Sequence, residues 1–416
     1  MRLHHTLLAA TVLTASAGAM GQTCFGNASS TGAQLQAAIN GATGVLYLCQ
    51  GAVFTADASI LLKNNLKMET LGRPSDDNQK AKIVLAYTSA QAISTGFPFP
   101  VGQSFLSGYG MSGVELRNIV IDGGRTSVTI ASHKTDSGAT PDHHRATLAI
   151  GGVNSLLDRV TIRNGIGGAL VDAASDANCS GLRITNSYFG PAGYHQTLSF
   201  NGSSIGQWSD GLNLYCGNAY VAGNQFRDIT DGSISFYGGT STTIESNWIA
   251  LSGRSGVSGF VAAAALARTR AVSFLNSAFR YNLIETASNQ HLNVAIGLGS
   301  RAWCNPAQNN PDCDTVSGMS ATNNSGSGNY GFGLLVAGMT PATLLDNNLV
   351  MQRWINPDWV SIRPHCQGPD ANAPGNPPPW PAANYYVVRS GTAGSLQPGY
   401  ALRTNVDGCA WVPSTY

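Results

Sequence analysis

The chain has 416 residues with 23 basic and 22 acidic side chains, and charged residues make up only 11% of it, against roughly 25% in an average globular protein. Without residues 1–21, whose one charge is Arg2, the balance is 22 against 22, which excludes the basic footprint of a nucleic-acid-binding protein. The 49 glycines are about twice the usual share and argue against a helical protein, and no apolar run after the N-terminal segment is long enough to suggest a membrane span.

Residues 1–21 read as a signal peptide: Arg2 and two histidines, the apolar run LLAATVLTA, then small residues, with cleavage expected after Ala19 or Gly21. The expected location is therefore secreted or periplasmic. No leucine stands three positions before Cys24, so a lipid anchor is not expected. Residues 22–44 form an expected N-terminal cap, in which Ser30 or Thr31 starts a short helix over GAQLQAAINGA with Leu35 and Ile39 on one face. Such a helix covers the open end of a stack of strands.

From Val45 the chain turns to short β runs separated by Gly, Asn and Asp, first VLYLCQGAVFTADASILLKNNLKMETLG and KIVLAY. The repeat is clearest between Trp208 and Phe260. Asp210 and Asp231, each followed by Gly, are 231 − 210 = 21 residues apart, and Asn224 and Asn247 are 247 − 224 = 23 apart. A period in the low twenties built from three short strands and no helix is one coil of a parallel β-solenoid.

The runs Val45-Leu46-Tyr47-Leu48, Gly51-Ala52-Val53-Phe54 and Leu66–Gly72, followed by VELRNIVIDGG, LLDRVTIRNG and GLRITNSYFG at 114–124, 156–165 and 181–190, resemble the coils of right-handed parallel β-helix proteins of the pectin-lyase-like superfamily. The resemblance covers about residues 31–350. It implies an all-β fold, a single-stranded right-handed parallel β-helix over residues 45–353. It leaves the activity open, because that superfamily hosts lyases, hydrolases, epimerases, esterases and phage adhesins.

Asn186, Asn224, Asn247, Asn282 and Asn347 or Asn348 each precede an apolar pair and read as turn asparagines, some of them stacked in a ladder. Insertions break the period at 96–110, 125–145, 191–206 and 302–314; solenoid insertions tend to rim one face, often the binding face. The second holds His133, Asp136 and Asp142-His143-His144, a metal site or a solvated loop. Asn27, Asn178, Asn201 and Asn323 stand in N-x-S sequons. Residues 354–416 carry more than half of the 18 prolines and read as a non-repeating C-terminal cap or arm.

The eight cysteines, an even count in an exported chain, suggest the pairs Cys24–Cys49, Cys304–Cys313 and Cys366–Cys409, which leaves Cys179–Cys216 between neighbouring coils. No C-x-x-C pair supports zinc.

Aligning coils on the strand that opens at Asp210 gives a column of Asp210, Asp231, Arg254 or Ser255, His291 and Tyr330. Asp210, Asp231, Arg254 and His291 are the candidate catalytic residues. Trp208, Tyr237, Tyr330, Tyr194, His195 and Arg268 are the candidate substrate contacts, with aromatic rings suited to sugar faces. Stacked carboxylates repel, which would leave one of them protonated as an acid. The structural alternative is ordinary turn chemistry by Asp-Gly, with Arg254 neutralising the pair.

Three functions follow. A glycoside hydrolase needs two carboxyls roughly 5 to 9.5 Å apart, and it stands ahead of the others. A polysaccharide lyase would hold a substrate uronate through Ca²⁺ on Asp210 and Asp231, with Arg254, Arg268 or His291 nearby; otherwise no cofactor is expected. The third is a non-catalytic carbohydrate-binding or adhesive solenoid. The sequence lacks the Asn-Thr-Asp, Asp-Asp, Gly-His-Gly, Arg-Ile-Lys series of polygalacturonases and the dense acidic cluster of calcium-binding pectate lyases. The expected partner is a polysaccharide, with no nucleic acid and no membrane, and the expected state is a monomer.

Overall fold

A computed structural model describes residues 23–86, 104–124, 146–165, 168–173, 178–200, 203–207, 209–252, 258–265, 273–299, 318–336, 345–354, 400–403 and 409–412. Each short strand pairs in parallel with the strand one coil away, and three sheets result. The architecture is the right-handed parallel β-helix, with the hand that strand crossovers adopt in nearly all proteins.

Sheet one runs through Ile60–Leu61, Leu106–Gly108, Ala146–Ile150, Ala169–Ala173, Asp210–Tyr215, Gly232–Gly238, Ser258–Ala265 and His291–Leu298. Sheet two runs from Val45–Leu48 through Lys67–Thr70, Glu115–Arg117, Leu156–Asp158, Arg183–Thr185, Tyr220–Ala222 and Thr243–Glu245 to Ala278–Arg280. Sheet three includes Ala81–Leu85, Ile119–Asp122, Thr161–Arg163, Tyr188–Phe189, Gln225–Arg227, Trp248–Leu251 and Leu283–Thr286. The long strand Ser320–Val336 bends through all three sheets, pairing in turn with Ala278–Arg280, Leu283–Thr286 and His291–Leu298.

The core follows from this register. Residues in register lie about 4.8 Å apart along the stack, so one apolar residue per coil becomes a continuous column. On sheet three the column is Phe54, Ile83, Ile121, Ile162, Phe189, Phe226, Ile249 and Ile284, all buried. The Phe189 and Phe226 rings stack with centroids 4.8 Å apart.

The corner between sheets two and three is a two-residue turn. Its first residue has positive φ, as at Asn186, Gly223, Ser246, Tyr281 and Asn323, and its second holds the ladder. That ladder is Asn224, Asn247, Asn282, Asn324 and Asn347, joined Nδ2 to Oδ1 at 2.7–2.9 Å. Asn186 is not in it: on that coil Ser187 takes the rung and donates its backbone N–H to Asn224 Oδ1 at 2.9 Å.

Helix α1, Gly32–Gly41, is closed by a capping box between Thr31 and Gln34, and it buries Leu35 and Ile39. Part of the expected insertion at 96–110 is a regular strand, Leu106–Gly108, seated between Ile60–Leu61 and Ala146–Ile150. The expected insertion at 191–206 contains an antiparallel hairpin, Tyr194–Phe200 with Ser203–Gln207. Tyr400–Arg403 returns to sheet one beside residues 335–336 and pairs with Cys409–Val412. Among the described residues two disulfides are formed, Cys24–Cys49 and Cys179–Cys216. The signal peptide, the pair Cys304–Cys313, Cys366 and the histidines of 125–145 lie outside the described residues. Among the described residues no helix is long and apolar enough to cross a membrane.

Candidate functional site

The first strand of interest, Asp210–Tyr215, enters sheet one from the corner with sheet three. Asp210 N–H donates to Gly168 C=O at 2.7 Å, and Asp231 N–H donates to Ser209 C=O at 3.1 Å. The two aspartates thus occupy equivalent places on consecutive rungs.

The register then slips. The aspartates are 21 residues apart, but Leu212 pairs with Ile234, an offset of 234 − 212 = 22. One extra residue enters between Asp231 and Ile234 as a local bulge. The Asp210 carboxylate fills that bulge: Oδ1 accepts the Gly232 N–H at 2.8 Å and the Ser235 hydroxyl at 3.1 Å. A Cβ at 232 would meet Ser235 Oγ and lie 2.9 Å from Asp210 Oδ1, so any other residue there has to displace the side chains that close the bulge. Asp210 is 6% exposed, and Asp231 is half-buried.

The rest of the expected column does not line up. The rung above Gly232 holds Val261 and then Val294, which places His291 three residues upstream of it. His291 itself pairs with Ser258, and Tyr330 pairs with Leu292 rather than with His291. Insertions of unequal length between sheets three and one make the sequence count fail there. Tyr330 is fully buried and donates its hydroxyl to Ile284 C=O at 2.8 Å, so it is a core residue and not a substrate contact. Tyr237 is half-buried near the end of Gly232–Gly238. Tyr194 and His195 lie on the hairpin strand Tyr194–Phe200, which enters at the same corner. Trp208, Arg254, Ser255 and Arg268 lie outside the described residues.

A row missed in the sequence runs beside the aspartates. Asp172, Asn213 and Ser235 are in register on three coils of sheet one, and they alternate with the inward Val171, Leu212, Ile234 and Ala173, Leu214, Phe236. The signal was present as period-two alternation in VDA, LNL and ISF. Asn213 Oδ1 is buried without a hydrogen-bond partner.

A calcium ion takes six to eight oxygen ligands. Among the described residues no three His, Cys, Asp or Glu side chains converge, and Asp210 Oδ1 already accepts two hydrogen bonds. These residues do not fit a calcium site, and no step is assigned to the ion.

No protein-family model matches the sequence, and no curated protein sequence matches it. Solved structures with a similar course of the chain include the Streptococcus pneumoniae surface protein and adhesin PfbA, at 13% identity and a TM-score of 0.39 over 80% of this chain and 90% of that one. The A-module of the Azotobacter vinelandii mannuronan C-5 epimerase AlgE4 gives 15% identity and 0.36 over 80% and 95%. The Dettilon tailspike protein gives 10% and 0.29 over 74% and 60%. These are likenesses of chain path, while the site rests on its own geometry. By the pairing of its strands, the chain is a right-handed parallel β-helix.

Proposed function

We propose that this chain is an exported polysaccharide-degrading enzyme that hydrolyses a glycosidic bond at the corner between sheets three and one. Asp210 and Asp231 are its acid–base pair. The observation that carries the reading is their equivalent placement on consecutive rungs, about 4.8 Å apart along the stack and near the short end of the carboxylate spacings that glycosidases use. The Tyr194–Gln207 hairpin leaves the coil path at this corner, and in the sequence residues 87–103 and 125–145 likewise fall between a sheet-three strand and a sheet-one strand. Donors to Asp210 Oδ1 from Gly232 and Ser235 hold it as an acceptor, which suits an ionised base or nucleophile. Asp231 on the next rung takes the other role of the pair. The two disulfides fit an oxidising compartment.

A second reading has one observation in its favour. Asp210 closes a bulge, and this is a structural duty that needs no chemistry. On that reading the protein binds a glycan without cleaving it.

The test is purified protein against a polysaccharide panel, measuring new reducing ends together with the ultraviolet absorbance of unsaturated uronates. New reducing ends without that absorbance, abolished by Asp231→Asn, are expected. Unsaturated products would replace hydrolysis by elimination. Glycan binding without turnover, retained in Asp231→Asn, would establish the second reading.

A further inference from the structure

The outer side of sheet two holds a second polar site, remote in sequence from the aspartates. Lys67 is in register with Glu115, and Glu69 with Arg117. Lys67 Nζ lies 3.0 Å from Glu115 Oε1, and Arg117 Nη2 lies 2.8 Å from Glu115 Oε2. Arg73 reaches back from the following turn and donates Nε and Nη2 to Glu69 Oε2 at 3.0 and 2.7 Å. Tyr47 pairs with Glu69 from the preceding coil. Together with Val45 and Met68 these side chains line a cleft of about 250 Å³.

We propose that this cleft binds a carboxylate-bearing sugar unit of the uronate class. Three cations face two carboxylates, which leaves one positive charge over. The neighbouring Asp158 lies 3.9 Å from Arg117 Nη1 and 3.4 Å from Arg159 Nη1, so counting Asp158 and Arg159 together still leaves one positive charge. Lys67 and Arg73 line the cleft and keep side-chain exposures of 51% and 49%, so solvent and a ligand can reach them. Charge-assisted bonds from such groups are the strong way to hold a carboxylate. The Tyr47 ring and Val45 add an apolar wall of the kind a sugar face packs on. The volume is below the ~300 to 1,000 Å³ of drug-sized pockets, which limits the occupant to about one sugar ring. The site stands apart from Asp210 and Asp231 and does not depend on their chemistry.

The experiment titrates sodium glucuronate, glucose, sodium acetate and sodium sulfate, at constant ionic strength, into the full chain, with calorimetry or ligand-observed NMR as readout. Saturable binding of glucuronate is expected, well above that of the other three. The Lys67→Gln/Arg73→Gln double variant should weaken it roughly tenfold or more, the scale of a lost charged hydrogen bond. Glu69→Gln releases Arg73 and should tighten it, a gain that a folding defect would not produce. Asp231→Asn should leave it unchanged, which separates this site from the corner. Absence of saturable glucuronate binding, equal binding of glucose, acetate or sulfate, or unchanged affinity in the double variant would overturn the proposal.

Discussion

Nδ2 of Asn247 donates to Oδ1 of Asn282 at 2.9 Å, one coil further along the solenoid. The same amide also donates to Val221 C=O at 3.0 Å, while its own oxygen accepts both the backbone N–H and the side-chain Nδ2 of Asn224, at 3.0 and 2.9 Å. Each buried asparagine therefore serves two coils at once. Asn247→Ala would orphan the Asn224 donors and the Val221 carbonyl together. A loss of about 3 kcal/mol in unfolding free energy is expected, read as a fall in the urea midpoint. Asn186→Ala, outside the ladder and exposed, should cost less, about 1 kcal/mol, mainly through its left-handed backbone. Equal losses would contradict the ladder's role.

The ladder also shows how far the sequence could be read. Its spacing was visible because Asn and Gly mark turns, but the seat was not. Asn186 carries the positive φ of the first turn position, and in the pair Asn323-Asn324 it is the second residue that donates into the stack. Residue type alone does not separate the two positions, since asparagine suits both. The aspartates were legible because no insertion intervenes between them. Beyond them the column failed at His291 and Tyr330, where connections between sheets differ in length. The sheet-two cleft was invisible because Lys67 and Glu115, neighbours across one coil, are 115 − 67 = 48 residues apart, about twice the period.

Gly232 should be intolerant of any side chain. A Cβ would press on Ser235 Oγ and the Asp210 carboxylate, and Gly232→Ala is expected to cost about 1 to 3 kcal/mol. Ser235→Ala removes one of the colliding atoms along with its hydrogen bond to Asp210. The Gly232→Ala/Ser235→Ala double variant should therefore lose less than the sum of the two single losses. Additive losses in chemical denaturation would show that the bulge is not closed by this contact.

Acid should weaken sheet two at Glu245. Burial pushes its carboxyl up, but hydrogen bonds from Arg280 Nε at 2.7 Å and the Tyr220 hydroxyl at 2.8 Å outweigh that and hold it below its ordinary value of 4.5. A folded-state value below the unfolded one gives stability that is present above about pH 4.5 and lost as pH falls through the lower folded value. Arg280 is 44% exposed, so the contribution should be under about 1 kcal/mol. The Tm gap between wild type and Glu245→Gln is expected to be larger at pH 7 than at pH 3. A gap independent of pH would contradict the assignment. The phenol of Tyr220, raised by the same hydrogen bond, should keep donating through neutral and mildly alkaline pH.

The disulfide Cys179–Cys216 links two coils across 37 residues of sequence. Both cysteines are buried, and each lies just before a bridge residue, Cys179 before Ser180 and Cys216 before Gly217. The link thus spans the segment that carries the Tyr194–Gln207 hairpin and Asp210. In the chain-entropy account, closing a loop of this length restrains the unfolded state by about 4 kcal/mol. Cys179→Ser/Cys216→Ser should lower stability by about that amount and, because the corner lies inside the loop, should expose the hairpin to protease before the rest of the solenoid unfolds. Limited proteolysis with mass mapping reads both effects. First cuts falling within residues 190–208 in the variant, and not in wild type, are expected. First cuts in the C-terminal strands in both proteins would show that the disulfide does not secure this corner.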